Sequence, residues 1–326
     1  MSLSRRSAWS RPHSVVRAAL RWVATFAALV LASAVAVFCL QLLVPGDPAA
    51  TILSTQLGRQ PSQAEIVAER AQLGLNQPFP TRLWHWIAGA THGDFGRSWA
   101  TPGNVGSLIW PRIEATVRLG LVALTLAVVL ALAGGIVAAL FRDRTADRLL
   151  RVVVTVLACI PAFVLGVLVI QFVVVDAHIG QVLTDGSWRA ALLPGALLGV
   201  TIACYWVRVV RAIALDALNS DVVRTARARG ASWPTVVRAH VLPRVVLEFL
   251  PYVGLGIGSI IGATAVMEVV FSWPGIGAYA AQAAVRRDMP VLQAVVLLSI
   301  ITFRLGTDAM RGVGWILDPR RRSGTA

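Results

Sequence analysis

The stretch that decides the fold is residues 220–243, SDVVRTARARGASWPTVVRAHVLP, which lies between two long apolar runs. It is too polar to enter lipid, and its pattern predicts a helix, a turn and a second helix. Asp221 is placed to cap the first helix, Gly230 permits a left-handed turn, and Ser232 is placed to cap the second helix. Val236, Val237 and Val241 supply an apolar stripe at helical spacing. Taken alone, this ordered loop fits a self-capped connector and a docking surface equally well.

The apolar runs on either side of the loop belong to a chain whose composition is typical of a membrane protein. Of its 326 residues, 56% are hydrophobic and only 14% are charged, with a mean hydropathy of +0.70, against roughly 25% charged residues in soluble domains. A spanning helix needs about 20 apolar residues. Six segments meet or approach this length: Trp22–Val44, Val117–Leu140, Leu149–Val175, Ala190–Ile213, Phe249–Phe271 and Val291–Ile316. We therefore expect an all-α polytopic membrane protein with six transmembrane helices.

The distribution of arginine predicts the orientation. With the N-terminus inside, the inside segments hold 21 arginines and the outside segments hold 8, and cytoplasmic segments carry the excess of positive charge. Both termini of this multi-pass chain are therefore expected in the cytoplasm. The first apolar segment is longer than a signal-peptide core, so we interpret it as an uncleaved anchor.

The segment after this anchor, about 45–116, is then extracytoplasmic. Within it, PSQAEIVAERAQLG (61–74) has Ser62 at a capping position, Glu65 three residues later and Gly74 as a stop signal. This spacing predicts a short surface helix with a capping box.

The basic residues exclude several function classes. All 30 are arginine, so neither a P-loop lysine nor a Schiff-base lysine exists in the chain. The formal net charge of +14 raises the question of nucleic acid, but apolar runs of this length indicate a lipid bilayer as the partner instead. The histidines His13, His85, His92, His178 and His240 show no metal-ligand spacing. We expect no enzyme activity, no metal site, no cofactor and no nucleic-acid partner for this chain itself.

The loop carries a family resemblance. The spacing of Ala226, Gly230 and Leu242–Pro243 resembles the EAA loop of the membrane subunits of ATP-binding-cassette (ABC) importers. Five further motifs occur in the order of the permease family for dipeptides, oligopeptides and nickel, in its form with a long outer loop: VPGDPA (44–49), LGLNQPF (73–79) with GDFGRSW (93–99), IPAF (160–163) and MEVVFSWPGIG (267–277). The chain is similar to this family from about residue 20 to 320.

The resemblance implies a type I ABC importer permease fold and a division of the chain. It comprises a cytoplasmic N-terminal tail (1–21), a first transmembrane helix (22–44), an extracytoplasmic loop (45–116), a five-helix core (117–317) with the EAA loop at about 214–247, and a cytoplasmic C-terminal tail (318–326). It also implies a location in the inner membrane of a bacterial cell. The partners that it implies are a second homologous permease subunit, two ATP-binding subunits that hold ATP and Mg, and an extracytoplasmic solute-binding protein.

In the family the EAA loop docks on the ATPase. The resemblance therefore assigns the coupling role to Asp221, Thr225, Ala226, Arg227, Ala228, Arg229, Gly230, Ala231, Ser232, His240, Leu242 and Pro243. The residue types agree with this role, since small residues allow close approach of two backbones and arginines can meet acidic or carbonyl groups on a partner.

Two further sets of residues are candidates for function. Gly254, Gly258 and Gly262 recur every four residues, a pattern that lets helices approach closely in lipid; it fits an interface with a second subunit, a gate, or packing within this chain. Glu268 opens an outer turn that also contains Phe271, Trp273, Pro274, Gly275 and Gly277. An intramembrane carboxylate is typical of an ion site, but we favour a structural hydrogen bond from Glu268 to the turn.

The predicted function is the permease subunit of an ATP-driven importer for di- or oligopeptides. Within the family, a nickel or metal-chelate importer is the alternative. A secondary transporter that uses Glu268, Glu248 or Asp308 as coupling carboxylates is the alternative from another class. An intramembrane hydrolase would need a pair such as Ser259 and His240, which do not lie in neighbouring spans in a convincing pattern.

Overall fold

The structure of the chain is a computed structural model, which describes residues 11–39, 41, 46–101, 103–178 and 185–317. The predicted tail at 318–326 and the first residues of the N-terminal tail lie outside this range. The described residues form thirteen α-helices and no β-strand, apart from one isolated bridge between Arg97 and Asn104. The all-α class expected from the sequence is therefore confirmed.

The helices in chain order are α1 (Arg11–Cys39), α2 (Pro48–Leu57), α3 (Gln63–Gln72), α4 (Phe79–Thr91), α5 (Val105–Leu140), α6 (Thr145–Cys159), α7 (Ala162–Val169), α8 (Trp188–Leu218), α9 (Asp221–Ala228), α10 (Trp233–Val236), α11 (Leu242–Val270), α12 (Ile276–Val285) and α13 (Met289–Leu317). Two π-helical segments, Ile170–Asp176 and Val237–Val241, continue α7 and join α10 to α11.

Five helical segments are long and apolar enough to cross a membrane, and α6 with α7 and its π-helical extension makes a sixth if counted as one bent span. This pair replaces the continuous helix expected at 149–175, because the chain bends by 93° between Cys159 and Ala162. Ile160 has an extended backbone with ψ of 122°, which is the conformation that a following proline imposes. Pro161 therefore explains the bend.

The remaining spans extend beyond the apolar runs that predict them. α5 begins at Val105 rather than near Val117, and α8 continues to Leu218. The additional turns contain polar residues, so hydropathy does not predict them, but their backbone is still helical. Many large apolar side chains on the spanning helices are exposed, for example Val152, Val156 and Phe172, as expected for surfaces that face lipid or another subunit.

The described chain divides into two compact units. The first unit contains the residues up to Val105 together with Arg287–Arg304, and the second contains Gly106–Arg286 with the residues from Leu305 onward. In the first unit, Phe38 of α1 contacts the rings of Phe79 and Trp86, with centroids 5.3 and 5.7 Å away. Helix α3 has the predicted capping box at Ser62 and Glu65. The side-chain hydrogen bond and salt bridge from Arg59, with the hydrogen bond from the Ser62 N–H, lower the pKa of Glu65 to about 2.

In the second unit, α5 and α8 pack closely through small residues. One face of α5 is fully buried at four-residue intervals, by Ala115, Leu119, Ala123, Ala127 and Ala131. On α8, a Cβ at Gly195 would lie 2.7 Å from Val122, and a Cβ at Gly199 would lie 2.8 Å from the Ala123 carbonyl oxygen. Lipid offers no hydrophobic drive between helices, so such close backbone contact stabilises the pair by dispersion. This pair supports the loop that follows α8.

Candidate functional site

The loop between α8 and the continuous helix that starts at Trp233 turns sharply at Gly230. Gly230 has φ of +85°, as expected from the sequence. The Gly230 N–H donates to the Arg227 carbonyl (3.0 Å) and the Ala231 N–H donates to the Ala226 carbonyl (3.0 Å). These two bonds form a complete Schellman motif, which ends α9 and sets the direction of α10.

One face of this loop is anchored in the main core of the second unit. Val223, Val236 and Val241 are 0–3% exposed and pack in the cluster that contains Trp206 and Phe249. Two of the predicted residues, Ala226 and Ala231, are partly buried against the same cluster. The loop is thus a fixed part of the helical core and not a free connector.

The opposite face is exposed and carries most of the residues that the resemblance assigns. Exposed positions are Asp221, Thr225, Arg227, Ala228, Arg229, Gly230 and Ser232. Arg227 donates from Nη1 to the Ala231 carbonyl (2.7 Å), and its guanidinium lies 4.5 Å from the centre of the Trp233 ring. This cation–π contact bridges the two arms of the turn. The result is an exposed basic surface held by contacts within the loop.

The caps of this loop differ from the expectation in two respects. Ser220, not Asp221, occupies the N-cap of α9, and its hydroxyl donates to the Ala217 carbonyl (2.6 Å). Asp221 lies in the first turn, where its negative charge suits the helix dipole, and it pairs with Arg224 at 2.6 Å. Ser232 is the N-cap of α10 as expected, but its hydroxyl contacts the Thr235 hydroxyl (2.9 Å) and makes no capping bond.

The remaining predicted loop residues lie at the start of the following span. His240 is half-buried in the π-helical segment Val237–Val241. Leu242 is half-buried and Pro243 is exposed at the start of α11. Because Pro243 has no N–H, it cannot donate to the preceding turn, which here is the π-helical segment Val237–Val241 of the same continuous helix. These residues lie in the helix that follows the loop and do not belong to the exposed face of the loop.

The outer turn is organised around Glu268, which is fully buried. Its Oε1 accepts from the Thr116 hydroxyl (2.6 Å) and its Oε2 accepts from the Ala278 N–H (2.9 Å). The Thr116 hydroxyl in turn accepts from the Ile276 N–H (2.9 Å). Glu268 therefore joins α5, α11 and the start of α12, in agreement with the structural hydrogen bond favoured from the sequence.

The residues after Glu268 close the turn around its carboxylate. Phe271 and Trp273 are 0% and 1% exposed, and the Trp273 N–H donates to the Glu268 carbonyl (2.8 Å). Pro274 is exposed and Gly275 is buried. A Cβ at Gly275 would collide with the carboxylate, and one at Gly277 would lie 2.9 Å from its Oε2. Gly275 is thus required by the close approach of backbone to Glu268, and Gly277 chiefly by its closer approach to Ala265 of α11, with which a Cβ would collide.

The three glycines of α11 have different surroundings. A Cβ at Gly254 would lie 3.1 Å from Met310 of α13, so this glycine packs within the chain. Gly258 is half-buried, and Gly262 is exposed with nothing within 4 Å of a Cβ. A tighter contact is at Gly256, where a Cβ would collide with the Trp206 ring. Sequence reasoning missed Gly256 because it lies outside the four-residue repeat.

A buried ion pair near the start of α6 was also not predicted. Asp147 is fully buried and accepts two bonds from Arg211 of α8, at 2.8 Å from Nε and 2.7 Å from Nη2. The Asp143 N–H donates to the same carboxylate (3.0 Å), and Arg151 lies 3.6 Å away. A bidentate geometry with an added backbone donor is what a buried pair requires. Asp147 and Arg211 are 64 positions apart, so no local sequence pattern predicts that they form a pair.

Comparison with known proteins decides the family. The family described as "Binding-protein-dependent transport system inner membrane component" matches residues 102–323, and its N-terminal counterpart matches residues 15–119. The chain belongs to this family. The two matches together extend over nearly all of the described residues.

The permease also has curated relatives that are close in sequence. The glutathione transport system permease protein GsiC of Escherichia coli strain K12 is 38% identical over 273 residues, covering 83% of this chain and 87% of that protein. GsiC of Shigella dysenteriae serotype 1 (strain Sd197) has the same identity and coverage. The permease is therefore an ABC importer permease of the dipeptide and oligopeptide family.

A solved structure supports the fold. A chain from inward-facing conformations of the MetNI methionine ABC transporter matches 65% of this chain and 96% of its own length, with a TM-score of 0.56 and 20% identity. The permease thus has the type I ABC importer permease fold. It is a multi-pass inner-membrane transport subunit, its relatives are permeases and not enzymes, and the family works in complexes with ATPase and substrate-binding partners.

Proposed function

We propose that this permease forms one half of the translocation pathway of an importer for di- or oligopeptides. A second homologous permease forms the other half, two ATP-binding subunits supply the energy, and an extracytoplasmic solute-binding protein delivers the cargo. The peptide assignment is supported by the 38% identity to permeases named for the transport of glutathione, a tripeptide. ATP and Mg are bound by the partner subunits.

The EAA loop, at about 214–247, is the proposed site of coupling to an ATPase. The observation that carries this proposal is its two-sided construction: Val223, Val236 and Val241 fix it to the core, while Ala228 to Gly230 face outward at a tight turn. A movement imposed on the exposed face is transmitted to α8 and α11, because the buried face cannot slide independently of them.

Transport then proceeds by alternating access between inward-open and outward-open states. The ATPase subunits bias these states by binding the loop differently with and without ATP. The excess of arginine on one set of segments supports an orientation with both termini and this loop in the cytoplasm.

Glu268 favours this mechanism over a secondary transporter. Both of its carboxylate oxygens accept hydrogen bonds, from Thr116 and from Ala278, which suits a structural brace for the outer turn. Transport in proteoliposomes should therefore follow ATP and persist when an ionophore removes the proton gradient. Loss of transport with the gradient, at saturating ATP, would contradict the proposal.

The cargo is tested by uptake with the purified complex. The proteoliposomes are supplied with the binding protein on the extracytoplasmic side of the complex and with ATP on the side of the ATPase subunits. They should accumulate labelled dipeptides or glutathione, and should not accumulate a nickel–histidine chelate. Accumulation of the chelate without peptide uptake would make the metal-chelate importer the correct member of the family. The same preparation without ATP is the control.

A further inference from the structure

A small cleft in the first unit has features of a binding site. It has a volume of about 350 Å³ and lies among the end of α1, α4, the 95–99 segment and the start of α13. Pockets for small ligands begin at roughly 300 Å³. Among the described residues that line it, no aspartate or glutamate is present, whereas Arg82 and Arg97 are.

Three buried nitrogen atoms of the lining have no hydrogen-bond partner among the described residues. They are Gln41 Nε2, Trp86 Nε1 and Gln293 Nε2, and Gln293 is only 4% exposed. The amide of Gln41 is oriented by Arg82, whose Nη2 donates to Gln41 Oε1 (3.1 Å), so its NH₂ group remains a free donor. Buried donors are nearly always paired in folded proteins, because leaving them unpaired is costly.

The charge of the cleft agrees with these donors. Arg82 lies against the Phe38 ring, 5.8 Å from its centre, and burial lowers the pKa of its guanidinium. Among the described residues, its polar contact is with the neutral amide of Gln41, and no described carboxylate lines the cleft to balance its positive charge. An anion that enters would restore this balance.

The cleft is held in shape by contacts that do not involve a ligand. Phe38 contacts Phe79 and Trp86, which fixes the indole. On the other side, the buried carboxylate of Asp288 accepts from the Ser98 hydroxyl and from the Trp99 N–H (3.0 Å), which ties the 95–99 segment to the start of α13. The donors therefore keep their positions before any ligand arrives.

We propose that this cleft binds a carboxylate group, held by the amides of Gln41 and Gln293, the Trp86 indole N–H and the Arg82 guanidinium. The volume accommodates a carboxylate carried by one or two amino-acid residues. Two sources have this chemistry: the C-terminus of a cargo peptide, and an acidic side chain of the solute-binding protein. The inference rests on the proposed function in one respect, which is that the cargo peptide and the solute-binding protein both approach from the extracytoplasmic side.

The first arm of the test is direct binding of a peptide. Radiolabelled Ala-Ala and Ala-Ala amide are titrated onto the purified permease–ATPase complex in nanodiscs, without binding protein and without ATP. If the cargo is the source, Ala-Ala binds and its amide binds at least about tenfold more weakly, because a bond to a charged group is replaced by a weaker one. Gln293→Met and Trp86→Phe should each weaken Ala-Ala binding by about tenfold or more.

The second arm measures association of the binding protein with the same complexes by surface plasmon resonance. If an acidic side chain of that protein is the source, Gln293→Met and Trp86→Phe weaken this association while Ala-Ala shows no specific binding. Arg59→Met, which alters an exposed arginine of the same loop that does not line the cleft, is the control and should change neither readout.

Thermal unfolding separates binding from structure. Because the donors of Gln293 and Trp86 have no partner among the described residues of the free chain, the two variants should melt at or above the wild-type temperature. A lowered melting temperature together with unchanged affinity in both arms would show that these side chains are structural and would overturn the proposal. Unchanged affinity with unchanged melting would overturn it as well. Neither readout requires transport, so failure of the proposed importer function is recorded separately.

Discussion

Substitution of Gly230 tests the geometry of the proposed coupling loop. The residue has φ of +85° and ends α9 in a Schellman motif. A Cβ at this position would meet nothing within 4 Å, so a side chain meets no steric obstacle in the chain itself. The only direct effect of a substitution is on the preferred backbone conformation.

The size of that effect follows from the left-handed backbone. An ordinary L-residue in this region costs about 1–2 kcal/mol relative to glycine, asparagine costs less, and a β-branched residue costs more. A difference of 1–2 kcal/mol changes the population of the native turn by a factor of about 5–30. We therefore expect a series in which Gly230→Asn is mild, Gly230→Ala is intermediate and Gly230→Val is severe.

The assay compares transport with ATP hydrolysis. The complex of each variant is reconstituted in proteoliposomes, and peptide uptake per ATP hydrolysed is measured with and without binding protein. The ratio should fall in the order Asn, Ala, Val, while the amount of ATPase that co-purifies falls less. Gly312→Val is the matched control, since Gly312 is also open to a Cβ but has ordinary helical φ, and it should leave the ratio unchanged.

Two results would refute this reasoning. One is a Gly230→Val complex that assembles and transports like the wild type. The other is a Gly230→Asn complex as defective as Gly230→Val, because the defect would then depend on side-chain size at the partner surface and not on the left-handed turn.

Three further predictions concern stability in detergent, measured by thermal unfolding. Glu268→Gln should lower the melting temperature and loosen the outer turn, since an amide cannot accept with both terminal atoms; an unchanged melting curve would remove its role as a brace. Asp147→Asn should destabilise the protein by about 1–3 kcal/mol, because the partly buried Arg211 loses its counter-charge. Asp147→Asn combined with Arg211→Met should recover part of that loss, and failure of the double variant to recover would argue against a coupled pair. Gly256→Ala should cost about 1–3 kcal/mol by overpacking against an indole ring, whereas Gly262→Ala, at an open position, should be neutral; equal effects would contradict the packing.

Much of the fold follows from local patterns in the sequence. Apolar length predicts the spanning helices, the Ser62–Glu65 spacing predicts the capped helix α3, and Gly230 predicts the left-handed turn, because each depends on residues a few positions apart. The bend at Pro161 has a local cause as well, but hydropathy is continuous across it and conceals it.

The side-chain contacts that build the sites could not be predicted in the same way. Asp147 meets Arg211 across 64 positions, and Glu268 meets Thr116 across 152. The donors of the small cleft come from Gln41, Trp86 and Gln293, which are separated by 45 and 207 positions in the chain. Such groups are brought together only by the packing of whole helices, and a single sequence contains no record of which helices are neighbours.

The most direct test of the account is a photo-cross-link from the exposed face of the loop. A photoreactive amino acid at Ala228, in the assembled complex in native membranes, should form an adduct with an ATP-binding subunit. The same group at Val285, which is 86% exposed on α12 and is predicted to lie on the outer side, should not. An ATPase adduct from Val285 and none from Ala228 would contradict the central claim that this loop is where the permease meets its ATPase.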